Sequence, residues 1–488
     1  MPQMADINFN IIMPELALLM FSFIIFMFAP LVRKQSAGML VALIGVIVAI
    51  VFAFSGWNNP QGGYFGMVIA DNFAVMAKII FLLACGTAIL LSHDYLNRLN
   101  LNRPEYYGLM LLSTIGMMIM ASSTNLMVIF LGLEIMSLPL YVLAGFNRGN
   151  LKSNESAAKY FFMGAFASGF FLYGIALVYG GTGTTDLYNI LSRTDTALVS
   201  NGIYLTVGAV LILVGFGFKI AAFPFHTWVP DVYTGAPTPV TAFFSVGPKA
   251  AGIIALLRIF MIGFAGMQDI FTIVFWLLAV FTMTIGNVLA VMQNDVKRML
   301  AYSSIAHAGY LLVALTAGGA EAISAALYYL LAYGFFNMGA FAMVIIIEGK
   351  NGGSNHLSTY KGLVSKHPWL AVFLALFMFS LAGFPPTAGF VGKFYVFSAA
   401  VKAGFVWLVV LAVINSLISV FYYLKPLKMA FFEKPEDIGP EAEAEERSLK
   451  VAPLVALAII ITAIGTLGLG IIPESFIKLT TESIFAML

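Results

Sequence analysis

Residues 216–230 read FGFKIAAFPFHTWVP. Lys219 places an ammonium inside an almost unbroken apolar run, and Pro224 and His226 follow within two turns. Whether that run is a soluble core or a membrane span is decided by composition. Apolar residues make up 61% of 488 positions and charged residues only 10%, and the mean hydropathy is +0.95. A soluble chain of this length needs far more charge to stay in solution. Apolar stretches of about 20 residues recur from end to end, the length that crosses roughly 30 Å of hydrocarbon. The expected fold class is an all-α polytopic membrane protein.

Spans are expected at about 9–30, 37–56, 72–92, 106–122, 125–146, 156–180, 203–225, 239–264, 270–292, 299–317, 321–348, 368–401, 404–430 and 451–472, about fourteen in all. The stretch 368–401 is too long for one straight helix and is interrupted by LAGFPPTAGF, so it reads as a broken helix. The stretch around Pro224 reads as a second one. The opening MPQMADINFNIIMPELALLM has no basic region and no small-residue cleavage site, and reads as an uncleaved first helix. The single cysteine, Cys85, cannot hold an iron–sulfur cluster or close an internal disulfide. Redox chemistry within the chain is not expected, and a net charge of +2 gives no sign of a nucleic-acid partner.

Basic residues orient the spans. Sixteen of the 25 lysines and arginines fall in loops on one side, against Arg193, Lys402 and Lys478 on the other. That bias puts the first set in the cytoplasm and both termini outside. The charged loop EKPEDIGPEAEAEERSLK is then cytoplasmic and reads as a solvated segment. Lys78, Lys159 and Arg258 lie near span ends, where snorkelling to the interface accounts for them.

Lys219, Lys249 and Lys393 lie deeper, and so does Glu134 in VIFLGLEIMSLPLYVLAGF. Each such charge costs about 2.5–3.5 kcal/mol on insertion scales, which makes it a functional candidate. A purely structural reading pairs Glu134 with one lysine to pin two helices. It leaves the other lysines unexplained, and two of the three stand beside a helix break. Such breaks free backbone groups that need protein or cavity water, and transporters use them to build ion pathways. His307, in MLAYSSIAHAGYLLVAL with Tyr302, Ser303 and Ser304 upstream, and His226 beside Pro224 suit proton relay. Other motifs are weak. GGTGTTD at 180–186 lacks the ending of a phosphate loop, and His356 and His367 have no partners at metal-ligand spacing.

The blocks LGLEIMSLPLYVLAGF, GFKIAAFPFHTWVPDVYTGAPTPVTAFFSVGPKAAG, NDVKRMLAYSSIAHAGYLLVAL and LAGFPPTAGFVGKFYVF resemble the antiporter-like subunits of respiratory complex I, the proton-translocating NADH-quinone oxidoreductase. The resemblance runs over nearly the whole chain. Among the three such subunits, Lys393 stands where subunit M carries glutamate, and the chain stops soon after its fourteenth span without the lateral helix of subunit L. The resemblance implies two inverted five-helix repeats, each with a broken helix, over 106–264 and 270–430, flanked by an N-terminal three-helix segment 1–105 and a C-terminal span and tail 451–488. It implies Glu134 and Lys219 as an interacting pair, Lys249 as central relay and Lys393 as the terminal group. It also implies a complex that uses NADH, FMN, iron–sulfur clusters and quinone elsewhere, with none of these cofactors in this chain. Partners would be subunit M and small membrane subunits such as K and J, in the cell inner membrane. A subunit of a multisubunit sodium/proton antiporter, or of a membrane-bound hydrogenase-type complex, is the alternative.

Overall fold

A computed structural model describes residues 7–29, 36–348, 353–434 and 451–484. The charged loop assigned to the cytoplasm lies mostly outside the described residues. The chain opens with α1 (Met13–Phe28), α2 (Ser36–Ser55), a hairpin of β1 (Gln61–Gly63) and β2 (Val68–Ala70), and α3 (Asn72–Arg98). There follow α4 (Pro104–Ser122), α5 (Leu126–Ala144), α6 (Leu151–Thr182), α7 (Leu187–Ile220), the short α8 (Val229–Gly235) and α9 (Thr238–Arg258). The second half holds α10 (Gln268–Val291), α11 (Val296–Ala317), α12 (Gly319–Ile347), the single turn α13 (Leu363–Lys366), α14 (Pro368–Ala382), α15 (Ala388–Lys402) and α16 (Val406–Phe432). The last described helices are α17 (Pro453–Ile471) and α18 (Pro473–Glu482).

Twelve helical segments among the described residues are long and apolar enough to cross a membrane. α4 and the broken pair α14–α15 form where spans were expected but fall outside that set. One boundary differs clearly. α7 begins at Leu187 and not near 203, because Asp186 caps it by accepting from Asn189 N. Its polar first turns hid it from a hydropathy reading.

The least apolar of the twelve segments, those containing α9 and α11, are also the two that are wholly buried. Lipid is as apolar as leucine, so the polar spans gain by facing protein and the apolar ones are left outside. Leu131, Leu138 and Val142 on α5 and Phe162 and Phe166 on α6 are accordingly exposed. α4 packs on α5 and α10 on α11 at backbone distance. A Cβ at Gly116 would lie 2.2 Å from Met136 N, and one at Gly309 2.5 Å from Met283 N. The residue before α5 bridges to the residue before α7 at Asn125–Asp186, and the residue before α11 bridges to the segment ahead of α13 at Asp295–His356.

Candidate functional site

Lys219 occupies the last turn of α7. The helix stops because Ala221 turns left-handed, at φ 63°, and its successor Ala222 N–H reaches back to Gly217 O at 2.8 Å. Pro224 then has no N–H to continue the ladder. The freed groups find protein partners: Trp228 Nε1 donates to Phe218 O at 3.1 Å, and Phe223 N–H to Thr282 Oγ1 at 3.0 Å. Lys219 Nζ donates to Ser137 Oγ at 2.7 Å and Tyr160 OH at 3.3 Å.

The expected contact between Lys219 and Glu134 is not a direct ion pair. Glu134 is half-buried and accepts from Ser168, and among the described residues no salt bridge joins it to the lysine. Glu134 and Ser137 lie within one turn of α5, so the serine takes the ammonium while the carboxylate turns toward α6. A small cavity is lined by Lys219, by Ser168, the partner of Glu134, and by Gly164 and Gly215. It offers ≈ 10 Å³ to the centre of a water, at the lower limit for one molecule.

Lys249, on α9, is buried and donates to Ser304 Oγ of α11 at 2.7 Å. The ring of Tyr233, on α8, lies 5.6 Å from its Nζ. One turn beyond Ser304, His307 is held between two phenols. Nδ1 lies 2.6 Å from Tyr329 OH on α12 and Nε2 lies 3.0 Å from Tyr423 OH on α16. Tyr423 OH also bonds Ser303 Oγ. A neutral imidazole has one donor and one acceptor nitrogen, so one tyrosine donates to it while the other accepts.

Lys393, on α15, faces its own helix break. α14 ends at Gly383, φ 90°, whose successor Phe384 N–H returns to Phe379 O at 3.0 Å. Lys393 Nζ donates to the freed carbonyls of Leu381 and Ala382 at 3.0 and 2.9 Å and to Ser416 Oγ at 3.0 Å. Those bonds use all three donors of an ammonium. The ring of Tyr310 lies 5.1 Å away, its hydroxyl 3.1 Å from Asn287 Nδ2.

His226 is buried in the first break, and its Nδ1 has no hydrogen-bond partner among the described residues. No hydrogen bond joins it to Lys219 or Lys249 among the described residues. α11 thus carries both Ser304, the partner of Lys249, and His307 on one buried helix, while Lys219 and His226 share no hydrogen bond with that group among the described residues.

The other basic residues of the spans divide differently from the snorkelling expectation. Lys159 does reach the surface, bonded to Glu155 and Asp231 at 2.7 Å each. Lys78 and Arg258 instead turn inward. Lys78 pairs with buried Glu15 at 2.8 Å, and fully buried Arg258 with Asp71 at 2.8 Å. In each case an acid distant in sequence, Glu15 on α1 or Asp71 at the N-cap of α3, lies beside the base, which the linear order does not reveal. Lys297, assigned to a cytoplasmic loop, is buried at the start of α11 and donates to Ala236 O at 2.7 Å. Ser137, Tyr160, Ser168, Tyr329, Ser416 and Tyr423 are the site residues that sequence reasoning missed. Ser137 alone carried a local signal, a hydroxyl one turn from Glu134. No group of three metal-ligating side chains occurs among the described residues.

Residues 123–419 match the family described as NADH:quinone oxidoreductase/Mrp antiporter, TM. The chain is 47% identical over 480 residues to NADH-quinone oxidoreductase subunit N of Trichlorobacter lovleyi, covering 98% of this chain and 97% of the relative. It is similar to a chain of respiratory complex I from Thermus thermophilus at 33% identity, with a TM-score of 0.80 over 96% of this chain and 99% of that one. A chain of the Mrp complex from Dietzia sp. shares the fold, with a TM-score of 0.83 at 22% identity over 98% and 97% of the two chains. The chain belongs to the NADH:quinone oxidoreductase/Mrp antiporter transmembrane family.

Proposed function

We propose that this chain is the proton-translocating membrane-arm subunit N of a respiratory NADH:quinone oxidoreductase, and that protons pass through Lys219, Lys249, His307 and Lys393. One observation carries the reading: among the described residues buried Lys219, Lys249 and Lys393, all within apolar runs, have no acid in salt-bridge contact, in a protein that does pair Lys78 and Arg258. Lys297, buried without such an acid too, lies in the first turn of α11 on backbone carbonyls. Leaving a buried ammonium without a counter-charge costs several kcal/mol, about 3–5 when one partner of a buried pair is removed. Hydrogen bonds to hydroxyls and carbonyls offset part of such a cost without supplying a counter-charge, which supports a functional reason for retaining the lysines.

Their partners suit both protonation states. Around Lys393 two carbonyls accept N–H bonds while the Ser416 hydroxyl can accept from an ammonium or donate to an amine. Ser137 and Ser304 can turn in the same way beside Lys219 and Lys249. His307 passes a proton between its two nitrogens' partners when Tyr329 and Tyr423 reverse their hydroxyls. Glu134 supplies a tunable field. At an effective dielectric near 20, a carboxylate about 4 Å from an ammonium contributes about 4 kcal/mol, and about half of that at 8 Å. The difference of about 2 kcal/mol changes proton occupancy more than tenfold.

The driving reaction lies in other subunits, which oxidise NADH and reduce quinone through FMN and iron–sulfur clusters. The chain works beside other membrane subunits, M, K and J among them, in the cell inner membrane with both termini periplasmic. The paired bridges Asn125–Asp186 and Asp295–His356, and the matching caps that end α7 and α14, support inverted repeats over 106–264 and 270–430. His226 has a lesser role as a relay group at the first break.

The test is Lys249→Ala and Lys393→Ala in the complete complex, with proton pumping driven by NADH in membrane vesicles. Pumping is expected to fall about tenfold or more while assembly stays near normal. Loss of assembly in step with pumping would make the lysines structural.

A further inference from the structure

Between Lys219 and Lys249 lies α8, seven residues long, and it touches the surroundings of both. At its start the Trp228 ring stacks on Tyr160, centroids 4.7 Å apart and 13° from parallel, and Tyr160 accepts from Lys219. One turn and a half later comes Tyr233, the ring beside Lys249. A helix of two turns does not hold itself in place, because nucleation costs more than so few bonds return. Other elements hold it. Ser156 of α6 donates to Val232 O at 2.9 Å, Thr241 of α9 to Tyr233 O at 2.8 Å, and Lys297 of α11 to Ala236 O at 2.7 Å.

The side-chain fastening is Asp231. Its carboxylate takes Lys159 Nζ of α6 at 2.7 Å on one oxygen and Arg298 NH1 of α11 at 3.1 Å on the other. Burial raises its proton affinity, but the bonds and charges of Lys159 and Arg298 outweigh this and hold the carboxyl below its usual range. The charged groups around it are Lys159 and Glu155 from α6 and Lys297 and Arg298 from α11, with Lys249 of α9 on the far side of Tyr233.

We propose that Asp231 is a positioning residue for proton transfer: by tying α6 to α11 across α8, it holds Trp228 and Tyr233 against the partners of Lys219 and Lys249. This rests on the reading that those lysines carry protons. The competing account is a solvated ion pair of no consequence, the common case at a protein surface. The two accounts differ in what happens to α8 when the charge is removed and the shape kept.

Asp231→Asn and Asp231→Glu, in the assembled complex, are compared with the parent by hydrogen exchange of amides 226–236 and by NADH-driven pumping over a range of pH. Asp231→Asn is expected to speed exchange about tenfold, to lower pumping about threefold or more, and to displace the pH profile, since the surroundings of both lysines change. Asp231→Glu restores most of all three. Unchanged exchange and an unchanged profile in Asp231→Asn overturn the proposal in favour of the solvated pair. Lower pumping with an undisplaced profile overturns it in favour of simple destabilisation. Normal pumping by Lys249→Ala beside faster exchange in Asp231→Asn sinks the relay reading itself and leaves Asp231 a structural clamp, so the two failures are distinct.

Discussion

Lys219 shows how much a single hydrogen-bond choice decides. Its ammonium bonds two hydroxyls, and the carboxylate of Glu134 stands off behind Ser137 and Ser168. If the lysine only held α7 to α5 and α6, arginine would serve at least as well, with more donors and a permanent charge. If the lysine must release its proton, arginine fails, because a guanidinium does not deprotonate in a protein. Lys219→Arg is therefore expected to assemble and to lose most proton pumping, about tenfold or more. Glu134→Gln keeps the bond from Ser168 and removes the field, so a smaller loss of about threefold to tenfold is expected. NADH-driven acidification of inverted vesicles measures both, and near-normal pumping by Lys219→Arg would end the proton-switch account.

At the scale of elements, the two helix breaks solve one problem in different ways. Both α7 and α14 end on a left-handed residue followed by an N–H that returns to the last turn. After α14 the leftover carbonyls are taken by Lys393, which follows the break; after α7 one is taken by Trp228, and Lys219 precedes the break. The left-handed position of the second break is glycine, and a Cβ there would lie 3.0 Å from Lys393 Cδ and 3.3 Å from its Nζ. Gly383→Ala thus combines left-handed backbone strain of roughly 1–2 kcal/mol with a push on the ammonium. The complex is expected to assemble with a lower melting temperature and with pumping reduced about fivefold. Unaltered pumping in thermally weakened complex would show that the exact seat of Lys393 is unimportant.

The whole molecule is arranged with its polar spans inside. α9 and α11 carry Lys249, Ser303, Ser304 and His307 and are surrounded by α3, α4, α5, α7, α8, α10, α12, α15 and α16. Outer helices present leucine, isoleucine, valine and phenylalanine outward, as a lipid-facing surface requires. The proposed orientation rests on the charge bias of the loops. Asn59, in the loop between α2 and β1, and Lys152, at the start of α6, are both exposed and lie on opposite sides by that bias. Cysteines placed there should be labelled by an impermeant reagent from opposite faces of oriented vesicles, periplasmic for Asn59→Cys and cytoplasmic for Lys152→Cys. Labelling of both from one face would reverse the argument from the basic residues.

Sequence alone determined the membrane class, most of the long apolar helices, both breaks and the place of Lys219, Lys249 and Lys393 within apolar runs, because hydropathy and proline placement act locally along the chain. Tertiary structure decided which charges are neutralised. Arg258 meets Asp71 across 187 positions of chain, and Lys78 meets Glu15 across helices, while Lys249 and Lys393 meet hydroxyls and carbonyls. It also decided that His307 sits between Tyr329 and Tyr423, which come from α12 and α16. A tyrosine in an apolar span looks the same whether it faces lipid or an imidazole. Only the packing of helices distant in sequence brings a donor within 3 Å of its acceptor.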